Sequence, residues 1–261
     1  MRSQRVYRAD AVVLKASDFG EADKALTLFT LQHGKLRAIA KGARRPGSRL
    51  GGHVDVLTHA NLMLARGRNF EIVTQAETVE PFLRLRDDLW RASLGYQLAE
   101  LVDRMTEEAH EDGPLFESLV EALGRITADP DPELAVHLFE ATLLDRLGYR
   151  PQLHTCLGCG KPLERVDSYY SAPAGGVLCP LCGPRDTNAR PLSANAFALL
   201  RLLQSGDYRT LQRVRRDEPL RRAVDDALTA QVRYVLERDL KSTAFLNRIR
   251  ALEAQPATAA R

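Results

Sequence analysis

The chain has 261 residues, 44% of them hydrophobic and 27% charged. That is enough apolar material for one to three domains with their own cores, and it excludes a disordered or fibrous chain. The net charge of +3 hides an asymmetry: residues 1–81 carry 13 Lys/Arg against 8 Asp/Glu, 82–150 carry 7 against 15, and 151–261 carry 17 against 11. Surfaces of opposite sign suit different partners.

The opening stretch MRSQRVYRADAVVL has no apolar core and no small-residue cleavage site, so no secretory leader is predicted. No apolar run is long enough to span a bilayer. A cytoplasmic chain without membrane contact is the expectation.

The first third reads as five strands, at 6–15, 25–30, 36–40, 53–64 and 71–79. Ala11-Val12-Val13-Leu14 is apolar throughout, and Leu36, Ala38 and Ala40 alternate with Arg37 and Ile39. His33-Gly34 marks a turn, 42–52 a loop rich in Gly, Arg and Pro, and Arg66-Gly67-Arg68-Asn69 a hairpin. Five strands with no long helix between them predict a small barrel, and an OB-fold fits. Phe29 is placed in the barrel core.

Pro81 marks a change of period. Helices are predicted at 82–109, 115–126 and 131–147. The third has Asp131 as cap, Pro132 at the first helical position and Gly148 just past the end. Ser193 caps a further helix through 203, a basic helical stretch runs over 208–222, and 223–252 reads as the last helix. Residues 253–261, Ala-rich with Pro256, are expected to be disordered. The predicted fold class is therefore α+β and multidomain. A five-stranded OB-fold barrel occupies 1–81, a helical domain 82–150 and 190–252, and an inserted four-cysteine module 151–189.

That module holds every cysteine in the chain, as Cys156-Leu-Gly-Cys159, nineteen residues, then Cys179-Pro-Leu-Cys182. Each pair grips a metal from one knuckle, and two pairs complete a tetrahedral thiolate shell. A closed shell leaves no position for water or substrate, so the predicted cofactor is a structural Zn2+. Iron also fits four thiolates, but zinc is the commoner occupant. Disulfides need an oxidising compartment, for which the sequence offers no leader. His154 reads as a neighbour of the shell rather than a ligand.

The strongest functional signal lies at 35–49, which holds six cations, and no acidic residue occurs between Asp23 and Asp55. Lys35, Arg37, Lys41, Arg44, Arg45 and Arg49 are the candidate phosphate-binding residues, with Arg66 and Arg68 extending the surface. Aromatic residues are scarce here (Tyr7, Phe19, Phe29 and Phe70), so backbone-dominated, sequence-independent binding is expected. The Arg209–Arg222 cluster is interleaved with acids and reads as a salt-bridged helix face. Gly42–Ser48 lacks the lysine of a phosphate loop and contains Pro46. No deaminase, metalloprotease or serine-hydrolase motif occurs, so no enzyme and no catalytic residue are expected.

Gly20-Glu21-Ala22-Asp23-Lys24, His33-Gly34-Lys35-Leu36, Ala40-Lys41-Gly42-Ala43-Arg44-Arg45, Ser48-Arg49-Leu50-Gly51, Leu147-Gly148-Tyr149-Arg150-Pro151 and the two knuckles occur in this order. Together they resemble the bacterial RecO family of recombination mediators, in its zinc-bearing kind, over nearly the whole chain. The resemblance implies an N-terminal OB-fold, a helical domain and an inserted zinc module. It also implies binding to single- and double-stranded DNA and annealing of strands coated with single-stranded DNA-binding protein. A complex with RecR that helps to load RecA, in the nucleoid-associated cytoplasm of a bacterium, is implied as well. A zinc-ribbon scaffold that binds only proteins is the alternative.

Overall fold

The computed structural model describes residues 5–253. Strands β1 (Val6–Phe19), β2 (Asp23–Thr30), β3 (Gly34–Ala40), β4 (His59–Ala65) and β5 (Glu71–Glu80) close a barrel in the order β1-β2-β3-β5-β4. The parallel pairing of β3 with β5, Ala38 opposite Glu71 and Ala40 opposite Val73, shuts the sheet, and the other pairs are antiparallel. Alternation selects the filling: Ala9, Ala11, Val13, Leu26, Leu28, Ala38, Ala40, Leu62, Leu64 and Val73 make the barrel core. The fourth strand starts later than the predicted 53. Residues 51–53 form a 3-10 turn, and Leu57 adopts a left-handed φ of 65° while buried.

Helices α1 (Leu83–Asp87), α2 (Leu89–Met105) and α3 (Gly113–Ala128) follow. The single helix predicted over 82–109 is broken at Asp88. Its backbone is extended, and its carboxylate accepts the Arg91 N–H at 3.1 Å, capping α2. Asp112 caps α3 in the same way, accepting from Leu115 N–H at 3.0 Å. α2 packs on β1 and β2, and α3 packs on β2. This explains why Ala11–Leu14 is apolar without alternation: Val12 and Leu14 lie on the outer face and are buried too. Phe29 is likewise buried outside the barrel core, with its ring 6.1 Å from that of Phe116 on α3.

Then come α4 (Pro132–Arg146), β6 (Ser168–Ser171), β7 (Gly176–Leu178), β8 (Arg190–Leu192), α5 (Ala194–Ser205), α6 (Tyr208–Arg213), α7 (Glu218–Leu236) and α8 (Lys241–Glu253). The three short strands form an antiparallel sheet with β6 in the middle. Ser193 caps α5 as expected, accepting from Ala196 N–H at 3.2 Å. The stretches predicted at 208–222 and 223–252 are divided differently. The chain leaves the helix after Arg213 and re-enters it under an Asp217 cap. It breaks again at Glu237, whose φ of 54° no helix accommodates, and α8 starts afresh.

Residues 133–239 form one compact unit, and the residues on either side of them form the other. In the second, α8 packs against α2, and the Glu100 carboxylate accepts the N–H groups of Lys241 at 3.1 Å and Ser242 at 2.8 Å. The expected tail over 253–261 falls, beyond Glu253, outside the described residues.

Candidate nucleic-acid interface and metal centre

The six cations of 35–49 divide by where β3 ends. Lys35 and Arg37 are on the strand, and the other four are beyond it. Lys35 is 8% exposed. Its Nζ donates to the carbonyls of Asp103 at 2.6 Å and Thr106 at 2.5 Å, the open end of α2. It therefore caps a helix C-terminus, where orphan carbonyls and the helix dipole favour a cation. Burial holds this ammonium below the ordinary lysine range, and the neighbouring Asp103 and Glu108 oppose that shift. Ala109 N–H, just beyond α2, donates to Lys35 O at 2.9 Å, so the chain after the helix lies along the strand. Arg37 is exposed but pairs with Glu108 at 2.6 Å. Lys35 is expected from the sequence to meet phosphate; in the structure its ammonium donates to carbonyls inside the protein.

The loop after β3 is different. Gly42 N–H donates to the Asp23 carboxylate at 2.7 Å, and Arg44 N–H to Ala22 O at 2.9 Å. These bonds tie the loop to the tip of the β1–β2 hairpin. Gly42 has a φ of 65° there, a conformation that favours glycine. Arg44 pairs with Asp18 at 3.1 Å. Lys41, Arg45 and Arg49 are exposed, and among the described residues none has a side-chain ion pair.

Arg66 and Arg68 sit on the β4–β5 hairpin. The parallel register, Ala38 opposite Glu71, sets this hairpin beside the first half of β3 rather than beside the loop. The Arg66 guanidinium lies 5.8 Å from the Tyr7 ring, and its backbone N–H donates to Arg5 O at 3.0 Å. Arg5 and Arg8, both exposed near this hairpin, join its cationic surface. The sequence pointer to Arg8 was the β1 alternation Val6, Arg8, Asp10 outward against Ala9, Ala11 inward. Six of the eight candidates thus form two groups, Lys41, Arg44, Arg45 and Arg49 around the loop and Arg66 and Arg68 around the hairpin, while Lys35 and Arg37 lie on β3.

The four cysteines converge, with all four Sγ atoms within 4.8 Å of one another. Cys159 and Cys179 Sγ are 4.0 Å apart, close to the roughly 3.8 Å between thiolates on a tetrahedral Zn–S shell of about 2.3 Å. The two knuckles turn alike: Gly160 N–H donates to Cys156 O, and Gly183 N–H to Cys179 O, both at 2.9 Å. Cys179 N–H donates to Cys156 Sγ at 3.2 Å. Gly158 is required, because a Cβ there would meet the Cys182 Cβ at 2.8 Å. Burial opposes ionisation of Cys156, but N–H groups of Cys179, Cys159 and Gly158 outweigh it and hold the thiol at about 6. Hydrogen bonding to Cys179, then burial, pushes the Cys182 thiol up to about 12. Four thiols this close cannot all ionise without a cation among them, and the donor set suits a soft or borderline metal. His154 lies outside the cluster.

Among the described residues no helix is long and apolar enough to cross a membrane. A family model described as Recombination protein O N terminal matches residues 1–82, and one described as Recombination protein O C terminal matches 86–244. The chain is 43% identical to the DNA repair protein RecO of Roseiflexus sp. (strain RS-1) over 95% of its own length and 87% of that protein's. It is 41% identical to the RecO of Heliobacterium modesticaldum, over 97% and 93%, and 36% identical to that of Symbiobacterium thermophilum, over 94% and 98%. A barrel with a cationic rim, a four-thiol module and end-to-end similarity to these proteins lead to one conclusion: the chain belongs to the RecO family of DNA repair proteins.

Proposed function

We propose that this protein is a non-catalytic mediator of recombinational repair in the bacterial cytoplasm. It binds single- and double-stranded DNA, anneals complementary strands coated with single-stranded DNA-binding protein, and acts with RecR to load RecA. In this reading 1–81 is the DNA-binding domain, 82–150 with 190–252 the helical domain, and 151–189 a structural zinc module.

The observation that carries the DNA-binding reading is the exposed loop bearing Lys41, Arg45 and Arg49, which have no carboxylate partners among the described residues. Cations that no internal acid neutralises are open to phosphates, and condensed counterions leave when they bind. Two strands held on one cationic surface repel each other less, so pairing becomes faster. No proton transfer or covalent step is needed.

The test is annealing of complementary strands precoated with the cognate single-stranded DNA-binding protein. Acceleration that fades with rising salt is expected, and the combined variant Lys41→Ser, Arg45→Ser and Arg49→Ser should remove it. A wild-type protein that neither accelerates annealing nor binds DNA would overturn the reading in favour of a protein-only scaffold.

The zinc assignment has its own test. Metal analysis should return one zinc per chain, and Cys156→Ser should lower both zinc content and thermal stability, because metal affinity here is folding energy. Full stability with no bound metal would refute it.

A further inference from the structure

We propose that a cleft in the 133–239 unit, bounded by the end of α4, the small sheet and α7, is a second single-stranded DNA site that grips unstacked bases. The proposal rests on the DNA-binding reading above and concerns a different surface.

The sequence Leu147-Gly148-Tyr149-Arg150 builds one wall. Gly148 takes a φ of 81°, its N–H donates to Asp145 O at 3.1 Å, and Tyr149 N–H donates to Leu144 O at 2.7 Å. These are the two bonds of a Schellman ending. The residue after such a glycine commonly packs back on its helix. Tyr149 instead keeps 48% of its surface exposed, in the cleft lining. Tyr234, in the last turn of α7, is 52% exposed in the same lining. Two half-exposed tyrosines in one cleft are stacking faces of the kind the barrel loop lacks.

The charge agrees. Arg150, Arg190, Arg222 and Arg233 line the cleft, and the carboxylates in its lining are Asp226 and Glu237. Arg150, Arg222 and Arg233 pair with Asp145, Glu218 and Asp239, but in each pair both partners are about half-exposed or more, so a phosphate can compete for the arginine. Arg190, exposed on β8, has no side-chain partner among the described residues.

The volume, about 1390 Å³, exceeds the roughly 300–1,000 Å³ of a pocket for one small ligand. A ligand that offers several anionic groups and several flat faces is a single strand of nucleic acid. A duplex hides its bases and does not qualify.

The test uses the full chain and two fluorescein-labelled oligonucleotides of equal length, oligo-dT and an abasic strand. The wild type should prefer oligo-dT by about tenfold or more. The double variant Tyr149→Ala with Tyr234→Ala should erase that preference and leave abasic binding unchanged. The Tyr149→Phe with Tyr234→Phe pair should keep the preference, because stacking needs the ring and not the hydroxyl. Loop variants should weaken both strands equally. An alanine pair that still prefers oligo-dT would overturn the proposal. So would a cleft whose alanine pair loses binding of an aspartate-rich peptide while DNA binding stands. A wild type that binds neither strand would overturn the functional reading itself, a result distinct from failure of the cleft alone.

Discussion

Lys35 and Arg37 stand only a few residues before Lys41, Arg45 and Arg49, yet the two sets do opposite work. Of the first two, Lys35 is buried against the end of α2 and Arg37 is exposed but paired, so their charges meet Asp103, Thr106 and Glu108. The last three lie past the strand and are exposed. Charge in a linear stretch is not charge on a surface. Acids that are absent from 24–54 arrive from 103 and 108, about 70 residues away.

The sharpest way to break the comparison is Lys35→Glu. It sets a carboxylate against the Asp103 side chain and the carbonyls that end α2, and should cost about 3–5 kcal/mol in urea unfolding. An unchanged midpoint would mean that Lys35 caps nothing. The loop should answer in the opposite way. Lys41→Ser, Arg45→Ser and Arg49→Ser together should shift stability by less than about 0.5 kcal/mol. They should also reduce the salt slope of single-strand binding by about 2. An unaltered slope would move the DNA contact elsewhere.

Glu100 offers a control that is partly buried and acidic. Burial raises its carboxyl, and the hydrogen bonds from Ser242 and Lys241 outweigh that and hold it below the ordinary glutamate value of 4.5. The unfolded chain therefore takes up this proton first as pH falls. Stability from Glu100 is complete above 4.5 and fades below it. Glu100→Ala should cost about 1 kcal/mol at neutral pH and flatten the acid limb of a stability profile. Smallest of all is Glu108→Ala. The pair with Arg37 is exposed, so stability should fall by less than about 1 kcal/mol. The freed Arg37 should tighten DNA binding slightly, read as a small rise in the salt slope. A fall in affinity would mean that Glu108 shapes the surface rather than masking it.

The barrel was legible because alternation at Leu36, Ala38 and Ala40 is a local signal. The fate of Phe29 was not, since inside and outside are both apolar where helices cover the wall. The helix break at Asp88 was written as a capping residue before Leu89, but the continuing apolar period masked it. The break at Glu237 has no local signal, because a left-handed glutamate is held by its surroundings. The four thiols were fully legible from spacing alone. The small sheet around them was not, because strands of three or four residues carry no readable period.

One arrangement bears on how the chain is made. The unit that contains the barrel ends with α8, which docks on α2 and is capped by Glu100. Between them the ribosome must deliver residues 133–239, which at about 5–20 residues per second takes roughly 5–20 s. Over that interval α2 has been made and its partner does not yet exist. The nascent barrel domain waits, with one flank bare, for a helix encoded only after the whole of 133–239.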